Sequence, residues 1–203
     1  MPVPLFMKKF LLATGNQGKV REIKDLLADV PIEIVSLASF PNIREPEETG
    51  DTFEANALLK ADYYNQQTGL TAIADDSGLV VDALDGRPGV YSARYGGPDA
   101  NDVDRYRKLL DELNDVPDDK RTARFVCVAA IVGDGIRQTF SGVAEGRILR
   151  APRGQGGFGY DPVFYYPELD KTFAELTREE KSVVSHRGQA FAQLVEFLRQ
   201  RSA

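Results

Sequence analysis

The eight residues from Phe125 to Val132 are apolar without a break. Successive side chains of a strand point to opposite faces, so this run has no face to give to water. It reads as a central strand covered on both sides, and the rest of the chain supplies the covering layers. Phe10 to Ala13 is a short apolar run, followed at once by Thr14-Gly15-Asn16-Gln17-Gly18-Lys19. Val20, Ile23, Leu26 and Leu27 then recur at helical spacing, which reads as strand, tight turn and helix. Ile32 to Ser36 is a second strand. Asp51 with Glu54 resembles a capping box opening a helix whose apolar face carries Phe53, Ala57, Ala61 and Tyr64. Leu70 to Ala74 and Leu79 to Val81 read as strands separated by Asp75-Asp76-Ser77-Gly78. Tyr106, Leu109, Leu110 and Leu113 mark a third helix. Gly133-Asp134-Gly135 reads as a hairpin turn into Ile136 to Ala144. Phe191, Leu194, Val195 and Leu198 mark a last helix. Crossovers and hairpins together predict an α/β fold around a central mixed sheet. Residues 1–7, with Pro2 and Pro4, read as a loose tail. Residues 8–203 read as a single domain whose sheet could carry two lobes with a groove between them.

The 203 residues carry 25 Lys and Arg against 31 Asp and Glu, a formal charge of −6. That sign argues against a nucleic-acid backbone or an anionic membrane as the main partner. No apolar run approaches the ~20 residues that span a bilayer. Phe10 to Ala13 is too short for the core of a signal peptide. Cys127 is the only cysteine, so no internal disulfide forms and the expected location is the cytosol. A polyanionic small ligand suits this composition only where local cations and a metal overcome the global sign.

Several segments have the chemistry for such a ligand. At Thr14 to Lys19, a strand delivers glycines to a helix N-terminus, where backbone N–H groups and the helix dipole favour an anion. Lys19 adds a full charge. The spacing is not that of a Walker A loop, because Val20 stands where Ser or Thr is needed. A plain glycine turn capped by Asn16 accounts for the segment equally well. Glu47-Glu48 and Asp75-Asp76 supply paired carboxylates, which together with waters and phosphate oxygens suit magnesium. Only one of Asp75 and Asp76 should face a given ligand. The loop Gly154 to Asp161 offers the Phe158 and Tyr160 rings for stacking on a base, or simply a turn whose aromatics plug the core. Ser185 is a candidate N-cap, placing His186 and Arg187 beside unpaired N–H groups that suit an oxygen-rich edge. His186 is the only histidine, which excludes a His-rich metal site. Cys127, in mid-strand, reads as core.

Taken in order, seven segments resemble the inosine triphosphate pyrophosphatase family. They are Thr14-Gly15-Asn16 to Lys19, Glu48-Thr49-Gly50, Phe53 to Ala61, Ala74 to Gly78, Ser92-Ala93-Arg94-Tyr95, Gly157 to Pro162, and Lys181 with Ser185 to Gly188. The resemblance implies an elongated α/β fold, a long central mixed sheet with helices on its flanks, two lobes with a cleft between them, and a homodimer. It implies magnesium-dependent hydrolysis of ITP, dITP or XTP to the monophosphate and pyrophosphate. In that scheme Thr14, Gly15, Asn16, Gln17, Gly18, Lys19 and Lys60 hold the triphosphate. Glu48 and Asp76 bind magnesium, Asp76 activates water, and Ser77 contacts the substrate. Phe158, Gly159, Tyr160, Asp161, Lys181, His186 and Arg187 enclose and read the base. The competing readings are a non-catalytic nucleotide sensor and a phosphatase that releases orthophosphate.

Overall fold

A computed structural model describes residues 8–201, so the expected tail at residues 1–7 lies outside the described residues. The elements in chain order are β1 (Lys9–Leu12), α1 (Gln17–Leu26), β2 (Glu33–Ser36), α2 (Phe53–Thr68), β3 (Thr71–Val81) and α3 (Asp102–Glu112). Then come β4 (Thr122–Gly133), β5 (Ile136–Ile148), β6 (Phe164–Tyr166), β7 (Lys171–Thr172), α4 (Arg178–Val184) and α5 (His186–Gln200). The seven strands form one sheet in the order β2-β1-β3-β4-β5-β6-β7. β1 pairs in parallel with both β2 and β3, while β5 with β6 and β6 with β7 are antiparallel. The mixed α/β sheet expected from the sequence is therefore present.

The chain packs as two compact units that share the long strands β3, β4 and β5. Among the described residues, one contains 8–76, Cys127–Gly142 and 187–201; the other contains Ser77–Val126 and Val143–His186. In the first unit β4 does what its unbroken apolar run requires. Cys127, Ala129 and Ile131 pack with Phe10, Leu12, Ile73 and the α5 residues Phe191, Leu194 and Leu198. Val128, Ala130 and Val132 pack with Leu11, Ala13, Ala72, Ala74 and the α2 residues Ala57, Ala61 and Tyr64. The strand thus serves two separate cores. The second unit gathers Leu79, Val81, Leu109, Leu113, Phe125, Phe164 and Phe173 into a core of its own.

Two local expectations are corrected, and three short elements are added. β3 runs without a break through Asp75-Asp76-Ser77-Gly78, where the sequence suggested a turn. The acids find partners inside the fold, so the strand has no need to end there. The N-cap of α2 is Thr52, whose side chain accepts from the Ala55 N–H, in place of Asp51. The short β6, β7 and α4 carry no periodic pattern of their own and were not anticipated. The hairpin stands as expected, with Asp134 and Gly135 at φ 52° and 74°, the sign that a two-residue turn between twisted strands needs. Ser185, in extended backbone (φ −73°, ψ 154°), directly precedes α5. Phe191 is fully buried in the first unit's core. Phe191→Ala is expected to lower the unfolding free energy by about 3–5 kcal/mol, measured by urea denaturation; a loss below about 1 kcal/mol would contradict this packing.

Candidate active site

In the first unit, β1 gives way to the glycine turn while Ala13 N–H still donates to the Ile73 carbonyl (2.8 Å). Asn16 caps α1, its Oδ1 accepting from the N–H groups of Gly18 (2.9 Å) and Lys19 (3.1 Å). The plain capping role is therefore real, and it engages two of the N–H groups an anion would use. Thr14 Oγ1 accepts from Asn16 N–H at 3.3 Å, and the Gln17 side-chain amide donates to the Gly15 carbonyl at 3.4 Å. Around Gly15 there is open space where a Cβ would stand.

Asp75 and Asp76 take different partners. Asp75 is 1% exposed; its Oδ2 lies 3.0 Å from Lys19 Nζ and accepts from Arg187 Nη2 at 3.2 Å. Asp76 Oδ1 accepts from Lys60 Nζ and Oδ2 from Asn56 Nδ2, each at 3.3 Å. The same Lys60 ammonium donates to Glu48 Oε1 at 2.5 Å, joining the acidic loop to the strand. Asn56 stands one turn before Lys60 on α2 and pins that loop from below. It accepts from Gly50 N–H (2.8 Å) and donates to the Gly50 carbonyl (3.1 Å).

These contacts separate the behaviour of the two adjacent acids. Burial works to raise the pKa of Asp75, but Lys19, Arg187 and Lys60 hold it well below the usual carboxylate range. For Asp76, burial outweighs Lys60 and Lys19, with Glu48 and Asp75 adding to it, and the pKa is raised. Burial opposes the charge on Lys60, yet Asp76, Asp75 and Glu48 keep its pKa above the ordinary lysine value. Cys127 is a neutral thiol, pushed up to about 12 by burial, with its Sγ 3.9 Å from Asp75 Oδ2.

The second unit holds the other group of candidates. Asp161 Oδ2 accepts from the Phe158 N–H (2.8 Å) and from Lys181 Nζ (2.5 Å). Lys181 in turn lies over the Phe158 ring, 5.0 Å from its centroid, a cation–π geometry. Gly157 has φ +70°, and a Cβ there would overlap Asp161 Oδ2, so only glycine lets the loop close over this pair. Gly159 N–H donates to Asp102 Oδ2 (2.8 Å). Tyr160 is a core residue whose hydroxyl donates to the Ser92 carbonyl (2.8 Å). The His186 ring is stacked on Phe125 at 4.6 Å between centroids and lies nearly parallel to Phe173. Ser77, on β3, is half-buried.

The structure thus gathers Lys19, Glu48, Lys60, Asp76 and the Arg187 guanidinium in the first unit. It gathers Phe158, Asp161, Lys181 and His186 in the second. Two further residues contact the first group and had been given no role from the sequence. Asn56 lies inside the family-like segment from Phe53 to Ala61, as a polar side chain one turn from Lys60 on the otherwise apolar face of α2. Glu22, which accepts from Arg187 Nη1 at 2.6 Å, had the weaker signal of lying three residues after Lys19.

A model of the Ham1 family matches residues 10–197. The dITP/XTP pyrophosphatase of Geobacter sulfurreducens is 54% identical over 193 residues, covering 95% of this chain and 97% of its own. That of Bacillus cereus is 51% identical over 193 residues, covering 94% of each. Among solved structures, a HAM1 protein from Coxiella burnetii superposes with a TM-score of 0.88 at 45% identity, over 96% of this chain and all of the other.

The two acids of β3 should titrate apart. In metal-free protein, carboxyl carbon-13 NMR is expected to show Asp76 gaining its proton above the ordinary aspartate value of about 3.9, because burial disfavours its charged form. Asp75 should still be ionised when Asp76 is fully protonated. The opposite order of protonation would overturn the assigned electrostatics.

Proposed function

Since the chain belongs to the Ham1 family, we propose that it hydrolyses non-standard purine nucleoside triphosphates (ITP, dITP and XTP) to the monophosphate and pyrophosphate. The observation that carries this reading is the convergence of Glu48, Asp76 and Lys60 beside the Lys19 turn. The turn from Thr14 to Lys19 takes the triphosphate, and the open space at Gly15 lets a phosphate oxygen approach the backbone. Lys60 is a further phosphate contact.

Glu48 and Asp76 would hold magnesium. Their fit to such an ion rests on chemistry already present: two carboxylates meet at one cation, the Lys60 ammonium. Magnesium commonly takes one or two carboxylates and fills its octahedron with water and phosphate oxygens. No group of three or more His, Cys, Asp or Glu suited to a metal occurs among the described residues, so the protein's share of the ligands is small. Bound there, magnesium supplies positive charge to the phosphate oxygens.

Asp76 orients the attacking water and takes its proton. A bond forms between the water oxygen and the α-phosphorus as the bond to the pyrophosphate oxygen breaks. Lys19 and Lys60 offset the charge that grows on the leaving group. In the second unit Phe158 stacks on the base, steadied by Lys181 and Asp161. Lys181, His186 and the backbone at the start of α5 donate to the 6-oxo edge; Arg187 contributes through its backbone, since its guanidinium is engaged by Glu22 and Asp75. An adenine 6-amino group would set donor against donor, and sites built on one hydrogen-bonding edge reject the mismatch by ~10⁴ or more. The reading extends to a homodimer working in the cytosol without nucleic-acid or membrane partners, supported by the family resemblance and the charge of −6.

The test is magnesium-dependent hydrolysis of ITP, XTP, GTP and ATP, with pyrophosphate and orthophosphate detected separately. Pyrophosphate with monophosphate from ITP and XTP is expected. Orthophosphate with diphosphate would replace the proposal with a phosphatase, and tight ITP binding without turnover would replace it with a sensor. Asp76→Asn is expected to lower kcat by on the order of 10²–10⁴-fold while ITP binding changes little. Near-normal turnover would remove Asp76 from the chemistry.

A further inference from the structure

The proposed chemistry uses Asp76 and leaves its neighbour Asp75 without a task, although Asp75 is the more deeply buried of the two. Among the described residues, the hydrogen bonds and ion pairs of Asp75 run through one oxygen. Oδ2 meets both Lys19 Nζ (3.0 Å) and Arg187 Nη2 (3.2 Å). Arg187, 2% exposed, sends its other terminal nitrogen to Glu22 at 2.6 Å. Glu22 and Lys19 both belong to α1, three residues apart and on one face. The contacts therefore close a ring: Lys19 to Asp75 on β3, Asp75 to Arg187 on α5, Arg187 to Glu22 on α1, and back along the helix to Lys19.

A lysine ammonium on a four-carbon stem is ordinarily mobile and hydrated. Lys19 is not, because its side chain is only 14% exposed and its ammonium is tethered to a carboxylate that cannot itself move. Asp75 cannot follow a departing Lys19 without breaking its contact with Arg187, and Arg187 is held in turn by Glu22. Two cations and two anions balance within the ring, so the desolvation cost of each ion is set against the attraction of its partners. Geometry of this kind fits a device for placing one charge, since phosphoryl transfer depends chiefly on where charges are held.

We propose that Asp75, Arg187 and Glu22 are positioning residues that set the Lys19 ammonium at the polyphosphate-binding turn. This rests on the proposed nucleotide hydrolysis and deepens it, giving Asp75 a role distinct from metal binding and from proton transfer, and Arg187 a side-chain role distinct from reading the base. The ring acts through Lys19 alone, which makes its contribution separable from that of Asp76.

The experiment is a double-mutant cycle read by binding of inorganic tripolyphosphate with magnesium, using calorimetry on the full chain. The variants are Asp75→Asn, Glu22→Gln, Lys19→Met and the two pairings with Lys19→Met. In the Lys19 background, Asp75→Asn is expected to weaken tripolyphosphate binding by about tenfold or more, a scale typical of coupled neighbours. Glu22→Gln should weaken it by several-fold. In the Lys19→Met background both changes should fall below about twofold, because the group they position is gone. Glu22→Gln keeps size and a neutral hydrogen-bond acceptor at a partly exposed site, so it reports even where Asp75→Asn fails to fold. Equal losses in both backgrounds would overturn the proposal by making the ring a general scaffold. Loss of manganese binding in Asp75→Asn, measured without polyphosphate, would overturn it by making Asp75 a metal ligand. ITP turnover by the unmodified protein is measured alongside: its absence refutes the nucleotide hydrolysis, whereas turnover with an additive cycle refutes the ring alone.

Discussion

Two neighbouring carboxylates in the interior of a strand, each matched by its own cations, constrain the first unit more tightly than its apolar cores do. A buried charge stripped of its partner costs several kcal/mol, so β3 holds Asp75 and Asp76 only where α1, α2 and α5 deliver Lys19, Lys60 and Arg187 at the right depth. The apolar contacts tolerate some sliding of a helix over a sheet, whereas an ion pair near 3 Å does not. α2 illustrates the division of labour. Ala57 and Ala61 are small and fully buried, so the helix lies close to the sheet, and that closeness brings Asn56 and Lys60 within reach of Asp76.

Much of this architecture was legible in the sequence wherever a residue's environment follows from its own pattern. The unbroken run from Phe125 to Val132 demanded cover on both faces, and β4 has it from Cys127 to Val132, while Val126 is only half-buried. Asp134-Gly135 forms the hairpin because a tight turn needs positive φ at both positions. Legibility failed where a residue's state depends on partners distant in the chain. Two acids, a serine and a glycine in succession look like a turn, because nothing local reveals that Lys19, Arg187 and Lys60 will pair with the acids, and Asn56 donate to one of them, inside a strand. Arg187 was misleading in the same way. Its neighbour His186 stacks in the aromatic core of the second unit, while the Arg187 guanidinium belongs to the first. The family resemblance located the candidate residues but could not divide them, since a motif in sequence order does not say which way each side chain turns.

The second unit buries charge by a different rule. Arg121 is 2% exposed, and its guanidinium donates to the carbonyls of Leu113, Ile148 and Leu149. Burial lowers its pKa, yet three aligned carbonyl dipoles hold it, tying the end of α3 to the end of β5. That cation is architectural and has nothing to offer a ligand. Lys181 contrasts with it, being paired to Asp161 beneath a loop that only glycine at position 157 can close. An ammonium held by the Asp161 carboxylate and flanked by the Phe158 ring keeps direction as well as charge.

Charge balance gives the proposed activity its order of events. In the first unit Lys19, Lys60 and Arg187 stand against Glu22, Glu48, Asp75 and Asp76, three cations to four anions, which leaves one net negative charge. A bare polyphosphate approaching that cluster meets repulsion, and the −6 charge of the whole chain adds to it. The lysines are placed in advance but already neutralised, so they cannot by themselves draw in a polyanion. A divalent cation reverses the sign, and the two carboxylates that would receive it are those that Lys60 now bridges. Under the proposed activity the species this cluster is complementary to is therefore the metal-bound triphosphate. Metal-free nucleotide would be disfavoured by the same acids that make hydrolysis possible.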